Sequence, residues 1–259
     1  MRILPRRTLP PSIKVERRHS PDKVRHREGH RLYRSCLRWE FGFSCAFCLL
    51  HESDFAEHGA EGLGLLGVEH FWPVSANPSR AGDYENCFYC CRLCNGVRAQ
   101  IPITGADGRR LLNPCTEVWA DHFQAEEDDR LQPRPSDPDA LYTDFVYDLN
   151  DPRKVNLRRE RRKRIGESLE VLSQGPVLVA VLLEASRRAS GREAEALFTA
   201  AVSFERQMVS ARSALERHAA VPPDAVDVCR CGDPSCCTLP DWLEAQTWDL
   251  PPESLELQV

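Results

Sequence analysis

Two Cys-x-x-Cys pairs, Cys45-Ala-Phe-Cys48 and Cys91-Arg-Leu-Cys94, stand 42 residues apart. Each puts two thiols on one tight turn, and two such turns facing each other form the tetrahedral four-sulfur cage that structural Zn²⁺ prefers. One pair alone would also suit a redox dithiol; two pairs in one short segment point to zinc. A metal held by four thiolates has no open position, so it holds the fold and does no chemistry. Cys87 and Cys90 flank the second pair. The tandem Cys90-Cys91 leaves the choice of ligand open, with the spacing favouring Cys91.

The rest of the composition fits that reading. The chain has 259 residues, 28% charged and 42% hydrophobic, which suits a globular protein rather than wholesale disorder. The first thirty residues are rich in Arg, Lys and Pro and hold no apolar h-region, so no secretory signal is expected. The longest uninterrupted apolar run, Val177–Leu183, is seven residues long. A span needs about 18, so no membrane helix is expected and the reducing cytoplasm is the expected compartment. There the twelve cysteines serve as metal ligands or free thiols rather than as disulfides. Charge is uneven. Residues 1–40 carry twelve Lys/Arg against four acids, and residues 219–259 carry one Arg against eight acids. A basic arm on a chain of net charge −5 suggests a polyanionic partner at one end.

Five segments follow. Residues 1–24 read as a basic flexible arm. Residues 25–118 read as a zinc module, opening on a helix to about Glu40 with Leu32, Tyr33, Cys36, Leu37 and Trp39 as buried candidates. Residues 119–150 read as an acidic, proline-rich connector, with a short strand at Phe145–Tyr147. Residues 151–220 read as helical. Asp151 is the N-cap, Pro152 the first helical residue, and Gly175-Pro176 the break between two helices. The second of these, short and apolar, ends at about Arg188, and a further helix over residues 192–217 carries Leu197, Ala201, Phe204, Met208, Ala211 and Leu215 on one packing stripe. Residues 221–259 form an acidic tail in which Cys229, Cys231, Cys236 and Cys237 could bind a second metal with help from Cys36, Cys115 or a His. The fold class is therefore α+β, a small zinc module with a mainly α-helical C-terminal extension.

Between the cysteine pairs lie residues able to do chemistry. Glu69 offers a carboxylate oxygen and Asn95, directly after the last cysteine, an amide oxygen; such donors suit Mg²⁺ or Mn²⁺ better than zinc. His70 titrates near neutrality and can take a proton from water. Carboxylate, imidazole and amide together suit metal-assisted hydrolysis of a phosphodiester. A Glu-His dipeptide alone is weak, and Glu57-His58 is another.

The set, in this order, resembles the HNH endonucleases of the ββα-metal type, in a bacterial branch that reads CxxC…EHFxP…YxN…CxxCN. Here it stands as Cys45-x2-Cys48, Glu69-His70-Phe71-x-Pro73, Tyr84-x-Asn86 and Cys91-x2-Cys94-Asn95. The lead-in from Tyr33 to Phe41 and the later Asp148-Leu149-Asn150 before an Arg-rich stretch are also similar. The resemblance implies a ββα-metal, treble-clef-like module that cuts nucleic acid, most of all DNA. His70 would be the general base, and Glu69 and Asn95 would hold one Mg²⁺ or Mn²⁺. Asn86 would brace the loop, and Cys45, Cys48, Cys91 and Cys94 would hold zinc. Products would carry a 5′-phosphate and a 3′-hydroxyl. Cys87 stands where Leu is more usual, Glu69 where many such proteins have Asp, and Arg98, expected to clamp a phosphate, where Lys is common. The basic run 153–164 is a second candidate phosphate surface. A homodimer, or a regulatory protein holding a defence nuclease silent, is a further expected partner. The rival reading is a non-catalytic zinc module that binds nucleic acid or a protein; it gives His70 no task.

Overall fold

The structure, a computed structural model, describes residues 3–5, 11, 14–22, 27–56, 66–98, 101–219, 231, 237 and 247–249. Its centre is a hairpin of strands β2 (Leu66–His70) and β3 (Cys87–Cys91), antiparallel, with Glu69 opposite Phe88 and His70 opposite Cys87. Every residue of β3 is buried, because the sequence Cys-Phe-Tyr-Cys-Cys has no polar face to offer to water. Helix α3 (Arg92–Arg98) follows β3 with no intervening residue. Ahead of the hairpin, a 3-10 turn (Arg27–Tyr33) runs into helix α1 (Arg34–Glu40), and a short helix α2 (Glu52–Ala56) follows the first cysteine pair. Tyr33, Cys36 and Leu37 are buried as expected and Trp39 is half-buried, whereas Leu32 is 41% exposed.

The described part of the basic arm is held against this module. Val15 donates its N–H to Pro114, and Ala120 donates to Pro11. The buried Glu40 carboxylate accepts from the backbone N–H groups of Arg18 and His19 and from the Arg17 guanidinium. That guanidinium lies 4.7 Å from the Phe88 ring centroid, a cation–π contact. An expectation of free flexibility therefore fails for residues 14–22, because one buried carboxylate collects their donors.

Residues 119–150 are folded too. Helix α4 (Trp119–His122) leads into a hairpin of β4 (Phe123–Ala125) and β5 (Leu131–Pro133), then helix α5 (Pro138–Tyr147). Asp137 caps α5 by accepting from the Ala140 N–H, with Pro138 in the first turn. The strand expected at Phe145–Tyr147 is thus the last turn of a helix. Its β-prone residues are overridden by that cap and by packing, since Tyr147 stacks on Phe47 of the cysteine turn at 3.9 Å between centroids. Asn150 pins β5 by exchanging side-chain hydrogen bonds with the Leu131 N–H and carbonyl.

Helices α6 (Pro152–Arg188) and α7 (Gly191–Ala219) form a long hairpin. Asp151 caps α6 with Pro152 in the first turn, as expected. The break at Gly175-Pro176 is absent, and α6 runs through it. Pro176 cannot donate to the Leu172 carbonyl, but Gly175 lies against Met208 of α7 so closely that a β-carbon there would stand 2.6 Å from the Met208 sulfur. Packing of Leu172 and Leu215, with Ile165, Leu169, Met208 and Ala211, outweighs the lost hydrogen bond. The stripe on α7 buries Ala201 and Leu215 fully, and Leu197, Phe204, Met208 and Ala211 in part.

α6 also holds an 18-residue stretch of mean hydropathy 1.4, with 22% of it buried. By length and composition that stretch is apolar enough to cross a membrane, a test that core helices also pass. The uninterrupted apolar run considered above is therefore too strict a measure. The last described strand, β6 (Thr247–Asp249), pairs antiparallel with β1 (Ile3–Pro5), with Leu4 opposite Trp248.

Filling the α6–α7 contact tests this account. Gly175→Leu will lower the thermal midpoint by several degrees in a circular-dichroism melt. Met208→Ala in the same chain will recover most of the loss, which a simple propensity effect at Gly175 would not allow.

Candidate functional site

The first element of the site is the cysteine cage. Sγ atoms of Cys45, Cys48, Cys91 and Cys94 all lie within 4.8 Å of one another, and all four residues are buried. Cys48 and Cys91 sulfurs are 3.6 Å apart. A disulfide would need about 2.05 Å, whereas two ligands of a tetrahedral zinc at about 2.3 Å stand roughly 3.8 Å apart. The cage fits zinc, and Cys91 rather than Cys90 belongs to it. Local backbone makes this possible. The first turn is shaped by positive φ at Gly42, Phe43 and Leu49, and closed by Cys45 N–H to the Leu50 carbonyl and Leu49 N–H to the Cys45 carbonyl. Ala46 donates to the Tyr89 carbonyl and so hangs this turn on β3. Cys94 sits in the first turn of α3, its N–H directed at the Cys91 sulfur. Burial pushes the Cys94 thiol up; burial also opposes ionisation of Cys45, yet hydrogen bonds from its four neighbouring thiols hold that group well below the ordinary range. Zinc would displace the remaining protons.

The basic run of α6 faces this cage. Lys154, Arg158 and Arg161 are all buried. Arg158 donates to the carbonyls of Asp129, Leu149 and Cys48, and Arg161 to the Leu49 carbonyl and to Asp54 at 2.9 Å. Lys154 donates to the Tyr147 and Asp148 carbonyls. Burial opposes the Lys154 charge, but the four cage cysteines outweigh it and raise its pKa. Burial lowers that of Arg158. Three of the eight basic residues of the expected phosphate surface are thus an internal brace on the cysteine turn and the segment before α6. Arg153, Arg159, Arg162 and Lys163 stay exposed, next to Asp151, Asp129 and Glu167.

The second element is the loop joining β2 to β3. Asn86 is fully buried and holds the loop at three points. Its Oδ1 accepts from the Trp72 N–H at 2.7 Å, and its Nδ2 donates to the carbonyls of Trp72 and Arg80. His70, at the end of β2, places Nε2 3.0 Å from the Ala81 carbonyl oxygen. A carbonyl only accepts, so Nε2 carries the proton and Nδ1 is the basic nitrogen. The His30 ring packs 4.5 Å from that of His70. Burial and, to a lesser extent, His30 hold the His70 pKa below its usual value, with the Ala81 carbonyl opposing.

Glu69 is half-buried, and burial raises its carboxyl against the pull of Arg98. Asn95 is exposed on α3. Arg98 is not a surface clamp: it is 1% exposed and donates to the Phe71 and Ile101 carbonyls. Its role is to fix the start of the loop next to His70. Glu57-His58 lies outside the described residues.

Several supports are not readable from local sequence. Arg38 makes a bidentate pair with Glu52 at 2.8 Å, and Tyr89 donates to the same carboxylate. His30, next to His70, has only its place in a basic lead-in to mark it. No protein-family model, no curated protein and no solved structure matches this chain.

The buried Arg161–Asp54 pair gives a direct test of the brace. Arg161→Ala leaves the Asp54 charge without its cation and should cost about 3–5 kcal/mol in urea unfolding. Replacing both by Ala should cost clearly less than Arg161→Ala alone. An Arg161→Ala protein as stable as wild type would remove the brace from the account.

Proposed function

We propose that this chain is a metal-dependent endonuclease of the HNH, ββα-metal type, with DNA as its substrate. The observation that carries the reading is His70. One ring nitrogen is engaged by the Ala81 carbonyl, which sets the tautomer and leaves Nδ1 as a proton acceptor. A histidine in a purely binding module needs no such orientation, nor a fully buried Asn86 to hold the loop around it.

The order of elements supports the same reading, since β2 ends on His70 and β3 and α3 carry Cys91, Cys94 and Asn95 in the order of a ββα-metal module. Glu69 and Asn95 supply two oxygen donors of the kind Mg²⁺ and Mn²⁺ prefer. A bound divalent ion supplies stabilisation of the charge that builds on phosphorus and on the leaving 3′ oxygen. The remaining tasks fall to side chains of the chain itself. His70 Nδ1 takes the proton of the attacking water, the new bond forms at phosphorus, and the bond to the 3′ oxygen breaks. Asn86 and Arg98 position His70 through the loop and touch no substrate. Beside the loop, a cleft of about 710 Å³ is lined by Lys14, Arg17, Trp72 and Arg80 together with the carboxylates of Glu16 and Glu85. Trp72 is 39% exposed, with the Arg80 guanidinium 5.9 Å from its ring. A cation next to an exposed ring suits a strand that stacks a base and presents phosphates.

The test is cleavage of supercoiled plasmid with Mg²⁺, Mn²⁺ or EDTA. Wild type will nick in the presence of either ion. His70→Ala will lower the rate by at least about 10²-fold while zinc content and melting temperature stay those of wild type. Wild-type protein with its zinc that leaves duplex DNA, single-stranded DNA and RNA intact would sink the reading and leave a zinc module that binds.

A further inference from the structure

We infer a second zinc site, built from His19 of the N-terminal arm, Cys36 of α1 and Cys231 of the C-terminal tail, that ties the two ends of the chain to the module. It is independent of the nuclease reading and shares no residue with the four-cysteine cage.

One ligand atom from each of these three residues lies within 4.8 Å of the other two. His19 and Cys36 are 3% and 0% exposed, and Cys231 is half-buried against the same core. The His19 Nδ1 to Cys231 Sγ distance is 3.2 Å. Imidazole and thiolate on one tetrahedral zinc stand roughly 3.5 Å apart, from bond lengths of about 2.0 and 2.3 Å, so a small opening of this pair admits the ion. The donor set, one nitrogen and two sulfurs, is soft and matches zinc rather than Mg²⁺ or Ca²⁺. Two thiolates and a neutral imidazole also balance the charge of the ion, so its burial leaves no net charge.

The ligands are pre-positioned. The His19 N–H donates to the buried Glu40 at 2.8 Å, which fixes the backbone that carries the imidazole. Cys36 sits one helical turn before Glu40 on the same helix. Tail and arm meet a second time where β6 pairs with β1. Residues 17, 195 and 212 positions apart in pairs do not assemble two thiols and an imidazole through local propensity, and a core that needed only apolar filling would not use three of the strongest zinc ligands. Cys237, the other described tail thiol packed on this core, is not in this group, so the fourth position falls to water.

The consequence is a closed chain. Cys231, in a segment whose eight carboxylates follow Ala219, is held at His19 and Cys36 of the module. Arg230 adjoins Cys231 in the sequence, so trypsin cleavage after it reports on whether the site is formed.

The experiment is zinc content of the full chain after dialysis against EDTA, by elemental analysis, with limited trypsin digestion on the same samples. Wild type should hold two zinc ions per chain. His19→Ala and Cys231→Ser should each hold one, keep the wild-type circular-dichroism spectrum, and release the fragment after Arg230 at least tenfold faster. Cobalt substitution separates the sites without mutation: two Co²⁺ should bind, one with the charge-transfer intensity of four thiolates and one with less. A single zinc in wild type, or two retained in Cys231→Ser with the tail still protected, would overturn the inference.

Discussion

Burial of four thiolates is the interaction on which the rest of the structure depends. Once they hold a divalent ion, the cage carries two net negative charges into an interior of Phe47, Phe88 and Tyr147. That charge needs cations and oriented dipoles close by. The chain supplies them from a helix more than fifty residues beyond the last cage cysteine. Lys154, Arg158 and Arg161 reach in from α6 and bind the carbonyls of the first cysteine turn and of the segment that leads into α6. Arg158 and Arg161 thereby satisfy backbone acceptors that the tight turn leaves over, and Lys154 and Arg158 face the cage charge. This arrangement, with the Arg161–Asp54 pair and the Phe47–Tyr147 stack, packs the helical region directly on the zinc module.

Polar groups organise the opposite side of the hairpin as well. Asn86, buried without a charge, closes the loop of residues 71–86 by three hydrogen bonds, and Arg98 adds a fourth anchor at Phe71. His70 is the point to which these anchors lead. Its orientation depends on a single carbonyl, Ala81, which the Asn86 anchors at Trp72 and Arg80 hold in place. Glu40 does similar work for the arm, gathering donors from three consecutive residues. Buried groups with several hydrogen bonds, such as Asn86 and Glu40, fix one geometry more sharply than apolar filling can.

The helical hairpin follows different rules. Its register rests on small contacts, Gly175 against Met208 above all, and on a short core around Leu172 and Leu215. Val177, Val181, Phe198 and Val209 remain exposed along it. Pro176 shows which term wins there: one missing backbone hydrogen bond is a small loss beside the packing of two long helices.

The cysteine cage, the caps at Asp151 and Pro152, and the stripe on α7 were legible in the sequence, because each rests on spacing within one turn or on a local backbone preference. So was the grouping of Glu69, His70, Asn86 and Asn95 as candidates, since residue type alone limits the chemistry. Tertiary structure alone decided what the charges do. Arg98 and three basic residues of the run 153–164 turned inward, Phe145–Tyr147 became helix, the proline-rich segment 119–150 joined the core, and His19 met Cys36 and Cys231. Each of these outcomes depends on partners far away in the chain. A guanidinium has the same sequence signature whether it faces a phosphate or a buried carbonyl, and only the packed chain determines which acceptor it finds.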